Sequence, residues 1–150
     1  MPTDPSSVQI ALTPRFQKDL RSLAKRYRNI QSDLQPLIDQ LKTGELPGDR
    51  FTGPQYSLFK VRLQNSDIKK GKRSGYRVVY YLKTQNHIIL VTIYSKSDLA
   101  DVDNETLAQA ILQLEQQQLE QRNEELSYLF CNSVLARTWA FLSFLTSRLA

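Results

Sequence analysis

Lys60, Arg62, Lys69, Lys70, Lys72, Arg73, Arg77 and Lys96 lie in or beside apolar, β-rich strings, with Tyr76 and Tyr94 among them. Lys69, Lys70, Lys72, Arg73 and Arg77 fall within nine positions of the stretch NSDIKKGKRSGYRVVYYL. Like charges crowded at a strand entrance repel one another unless an external anion neutralises them. Without metal, Lys, Arg and Tyr can still act on a phosphodiester that carries its own nucleophile, the 2′-OH of RNA. Such cleavage requires removal of the 2′ proton, stabilisation of charge on the phosphate and protonation of the 5′ leaving oxygen. Arginine keeps its charge and can hold two phosphate oxygens, which makes Arg77 the candidate for transition-state stabilisation. Lys69, Lys70, Lys72 and Arg73 are candidates for RNA binding, and Tyr76 for stacking on a base.

The whole chain points to the same kind of partner. It has 150 residues, the size of one small domain, and a formal net charge of +5. Between positions 14 and 83 there are sixteen Lys or Arg against six Asp or Glu, whereas from 98 to 125 a single Arg122 meets eight acids. The basic body implies a polyanionic partner, and the acidic stretch is expected to fold beside the basic face. One cysteine, Cys131, and one histidine, His87, leave no His- or Cys-based metal set, and no cofactor motif occurs. The opening MPTDPSSVQIAL lacks the pattern of a secretory signal, so the expected location is the cytoplasm.

Periodicity supplies the elements that must position these residues. Val8 to Leu12 alternates like a short edge strand. Thr13 offers a helix cap with Pro14 at the first helical position, and Phe16, Leu20, Leu23, Ala24 and Tyr27 form one apolar stripe. Ile30, Leu34, Leu37, Ile38 and Leu41 repeat that spacing, which predicts a helical hairpin. Pro36 requires the second helix either to kink or to start at Ser32 or Asp33. TGELPGDRFTGPQ reads as loop. YSLFKVRLQ alternates Leu58, Lys60 and Arg62 with Phe59, Val61 and Leu63, and YRVVYYLKT and HIILVTIYS complete an antiparallel meander. Lys60, Arg62, Arg77 and Lys96 are expected to converge on one face of it. Asn104 is the expected cap of a third helix with the stripe Leu107, Ile111 and Leu114.

The fold class is therefore α+β, an N-terminal helical hairpin packed on an antiparallel sheet with a C-terminal helical extension. The division expected is a domain over 1–120 and an apolar, helical extension over 121–150. LSYLFCNSVLARTWAFLSFLTSRLA is interrupted by Asn132 and Arg137, so it falls short of a membrane-spanning run and no membrane partner is expected for the main domain.

The order strand, helix, helix, meander, helix, with LFKVRL, GKRSGYRVVYYL and IYSKSD at these places, resembles the RelE/ParE superfamily of toxins from type II toxin–antitoxin pairs, and more closely its RelE/HigB branch. The likeness covers roughly residues 8–113. It implies a small RelE-like fold, a cognate antitoxin, and an endoribonuclease that cuts translated mRNA on the ribosome. By match to the family's basic strand pair, Lys60 and Arg62 would orient the RNA backbone, and one of them would help activate the 2′-OH. Lys96 or Tyr94 would serve the leaving oxygen. The tyrosine expected in or just before the last helix is missing from DLADVDNETLAQ, which leaves the general acid and base open. A ParE-like inhibitor of DNA gyrase and a non-catalytic RNA-binding protein are the alternative functions.

Overall fold

In the computed structural model, residues 7–52, 56–68 and 74–147 are described, with residue 52 and those beyond 133 as backbone only. The order is β1 (Gln9–Leu12), α1 (Pro14–Ala24), α2 (Ile30–Lys42), β2 (Asp49–Thr52), β3 (Ser57–Leu63), β4 (Tyr76–Thr84), β5 (His87–Ser95) and α3 (Asn104–Ser147). The sheet order is β1-β5-β4-β3-β2, antiparallel except for the parallel pair β1 and β5. This is the expected α+β architecture.

Local chemistry sets most of these boundaries. Thr13 accepts the Phe16 N–H at 3.0 Å and donates its hydroxyl to the Val91 carbonyl at 2.6 Å, so one side chain caps α1 and ties it to β5. The predicted stripes are the buried ones: Phe16 and Leu23 from α1, and Ile30, Leu34, Leu37 and Leu41 from α2. Helix α2 begins at Ile30 and continues through Pro36, so a start at Ser32 or Asp33 is not adopted. Burial of Ile30, Leu34, Leu37 and Leu41 in the core offsets the hydrogen bond that proline cannot donate. Helix α3 is capped by Asp103, one residue before the expected Asn104; its carboxylate accepts the Thr106 N–H and hydroxyl at 2.9 and 2.7 Å.

One segment read as loop contains a strand. Asp49 to Thr52 pairs antiparallel with Ser57 to Lys60, and Phe51 packs against the core on one side of the sheet. Gly48 makes that entry possible: at φ 104° it lies so close to β3 that a Cβ would sit 2.6 Å from the Lys60 carbonyl oxygen.

The sheet has two covered faces. On one, Phe59, Val61, Tyr76, Val78, Tyr80, Leu90 and Ile93 pack under α1 and α2. On the other, Leu58, Val79, Tyr81, Ile89, Val91 and Tyr94 meet Leu107, Ala110, Ile111 and Leu114 of α3. The chain divides into two compact units, 1–114 and 115–150. The second is the continuation of α3, along which Leu119, Leu126, Tyr128, Leu129 and Phe130 are exposed. Among the described residues, no helix is long and apolar enough to cross a membrane.

Candidate functional site

Strand parity and register place the candidate residues. Leu58, Lys60 and Arg62 point to the α3 side of β3, and the sheet register sets Arg62 opposite Arg77 and Arg77 opposite Tyr94. A cross-strand row, Arg62–Arg77–Tyr94, thus runs over β3, β4 and β5. Lys60 lies one row further in, opposite Val79 on β4 and Asp49 on β2. The apolar rows beyond are covered by α3, Tyr94 at one end of the row packs in the same apolar cluster, and Arg62 at the other end is exposed. Gly75 fixes this register, because a Cβ there would collide with the Leu63 carbonyl.

The four side chains differ in environment. Arg62 is exposed. Arg77 is 6 % exposed and donates Nη1 to the Tyr76 carbonyl at 3.2 Å. Lys60 donates to Asp101 Oδ1 at 2.6 Å and lies 5.2 Å from the centre of the Phe51 ring. Tyr94 donates its hydroxyl to the same Asp101 oxygen at 3.1 Å. Burial, then the Asp101 charge and hydrogen bond, push the Tyr94 hydroxyl up to about 12, with Arg77 pulling the other way. At neutral pH it is a proton donor only. The hydrogen bond from Lys60 is the main force holding the Asp101 carboxyl below its ordinary value.

Lys96 follows the end of β5, where its N–H reaches the Gly75 carbonyl at 3.1 Å and its ammonium the Ala100 carbonyl at 3.3 Å. It belongs to the loop that carries Asp101. Lys69, Lys70, Lys72 and Arg73 lie outside the described residues. The chain leading to them is tied to the hairpin: Asp67 accepts the backbone and side-chain N–H groups of Asn29 at 3.0 and 3.1 Å, and Asp33 accepts the Ser66 N–H and hydroxyl.

Tyr76 requires a correction. It is fully buried on the hairpin side, its ring edge-on to Tyr27 at 5.7 Å, and burial drives its hydroxyl well above the ordinary value. No ring face is left for a base. Parity was the available signal, since neighbours on a strand face opposite ways and Tyr76 cannot share a face with Arg77.

Sequence reasoning passed over Asp101 as a member of the site. Two acids at the start of the acidic stretch meet the basic body: Asp98 pairs with both terminal nitrogens of Arg26, and Asp101 with Lys60. Which acid reaches which cation depends on the path of the loop over 96–103, and composition carries no signal for that.

A hairpin of helices on a five-stranded, mostly antiparallel sheet is a small RelE-like α+β fold. Residues 10–100 match the family of the ParE toxin of type II toxin–antitoxin systems, parDE, and the chain belongs to that family. Membership implies a cognate antitoxin. No match to a curated protein reaches significance.

Proposed function

We propose that this toxin is a metal-independent endoribonuclease of the RelE/HigB type, which cuts translated mRNA on the ribosome. The observation that carries this reading is the pairing of Arg62 directly opposite Arg77. Opposed like charges destabilise a sheet, and a phosphodiester bound over the row converts that repulsion into two attractions. Lys60, one row away, would hold the neighbouring phosphate oxygens, and Lys60 or Arg62 would assist loss of the 2′ proton. Arg77, buried and fixed by its neighbours, would act as a preorganised charge that strengthens its hold as the phosphate gains charge. Tyr94, protonated at neutral pH, or Lys96 would donate to the 5′ leaving oxygen.

The match to ParE toxins favours a second reading, inhibition of DNA gyrase by binding. Mapping mRNA 5′ ends after induction, with and without active translation, separates the two. The nuclease reading expects new ends within translated codons that vanish when translation is blocked. Intact transcripts together with inhibited supercoiling establish the gyrase reading, and salt-sensitive RNA binding without cleavage identifies a non-catalytic RNA-binding protein.

A further inference from the structure

Asp101 stands where an anion is wanted. One of its oxygens accepts from the Lys60 ammonium at 2.6 Å, from the Tyr94 hydroxyl at 3.1 Å and from the Val102 N–H at 2.9 Å. A phosphate oxygen seated at the inner end of the cation row would draw on the same ammonium and phenol. The loop that presents the carboxylate is pinned on both sides: Asp98 grips Arg26 at the end of the first helix, and Asp103 caps α3. Asp101 itself is 62 % exposed in its side chain, so it can leave without unfolding anything around it.

We infer that Asp101 is a built-in competitor for the RNA phosphate, holding Lys60 and Tyr94 ready in the free toxin and yielding them when substrate binds. This inference rests on the nuclease reading above. Asp101 is then a positioning residue that limits affinity, and it takes no part in the chemical step. Its presence weakens binding to polyanions that cannot supply the rest of the contacts, so the toxin discriminates against stray RNA.

Before a phosphate can take the Lys60 ammonium, Asp101 must give up one charge-assisted hydrogen bond, and that exchange is expected to lower affinity about tenfold. The test uses a 2′-O-methyl oligoribonucleotide, which binds but has no free nucleophile, and the variants Asp101→Asn and Asp101→Ala in wild-type and Lys60→Met backgrounds. Both Asp101 variants are expected to bind about tenfold more tightly. In the Lys60→Met background the gain should shrink to within about twofold, because the cation being competed for is gone. On programmed ribosomes, KM should fall while kcat stays within about threefold. Folded variants that bind no more tightly than wild type overturn the inference, and so does a tenfold gain that survives loss of Lys60. If the probe affinities shift as expected but neither protein cuts mRNA, Asp101 remains a competitor for phosphate and the nuclease reading alone fails.

Discussion

The two faces of the sheet are built from the same strands and carry opposite burdens. On the hairpin side the buried residues of β3 and β4 are apolar or aromatic, from Phe59 and Val61 to Tyr76, Val78 and Tyr80. On the α3 side the same strands run from Leu58 and Tyr81, through the mixed pair Lys60 and Val79, to Arg62 and Arg77. The first face is closed by two helices and stores stability. The second is covered by the stripe Leu107, Ala110, Ile111 and Leu114 over its apolar part and opens to solvent at Arg62, with Arg77 and Tyr94 buried beside it. Strand alternation thus lets one sheet keep a core and a polar site back to back, with no residue serving both.

The sharpest way to break this contrast is to open the closed face. The Tyr80 ring is fully buried, stacked on Phe59 at 5.0 Å, and its hydroxyl donates to the Pro47 carbonyl at 2.6 Å. Tyr80→Ala should cost about 3–5 kcal/mol in urea unfolding, a large share of the stability of a domain this size. Arg62→Ala, at an exposed side chain, should change it by no more than about 0.5 kcal/mol. Equal losses would show that the two faces do not divide the work.

Arg77 tests the open face with the opposite signature. Arg77→Met should slow single-turnover cleavage by on the order of 100-fold, by analogy with loss of one oxyanion donor. Its loss of stability should be smaller than that of Tyr80→Ala, because Met keeps most of the buried volume, although it gives up the hydrogen bond to the Tyr76 carbonyl. Arg77→Lys keeps the charge, loses the planar fork and should recover part of the rate. A folded Arg77→Met protein that cuts at the normal rate would move the chemistry to Lys60 and Lys96.

What could be read from residues alone follows the same division. Period-two alternation in YSLFKVRLQ and the stripes of the hairpin placed the core and the parity of Lys60, Arg62 and Arg77, since burial of apolar side chains enforces the pattern directly. Strand β2 was hidden because Asp49 to Thr52 contributes a single apolar side chain, Phe51, between Gly and Pro signals; its pairing comes from the free edge of β3. The depth of Arg77 was hidden too. A cation at a strand entrance reads as exposed, and only the register across three strands sets it between Arg62 and Tyr94. Asp101 depends on loop path, which no periodicity encodes.

Alkaline unfolding gives a finer test of the boundary between the faces. Tyr94 is held up to about 12 against an ordinary value of 10. The unfolded chain therefore loses the proton first: stability is full below pH 10 and falls as pH rises towards 12, with a slope of up to about 1.4 kcal/mol per pH unit from this group. Tyr76 and Tyr80 are raised as well and add to the wild-type slope. Tyr94→Phe keeps the ring against α3 and should remove only its own part, leaving a shallower decline. An unchanged slope would mean that the hydroxyl is not held by burial and Asp101.

The smallest effect is expected where the sheet has no stake. The last α3 residue buried in the second core is Leu114, and beyond it the helix carries exposed Leu119, Leu126, Tyr128, Leu129 and Phe130. Deleting residues 121–150 leaves more than a turn of helix after Leu114, enough to keep its carbonyl hydrogen-bonded. The urea stability of the remaining domain should move by less than about 0.5 kcal/mol, and cleavage should persist. Solubility should rise, because contiguous exposed apolar side chains promote association. A truncated protein that is folded and soluble yet inactive would make the extension part of the functional unit, and the open face of the sheet would then need a second element to work.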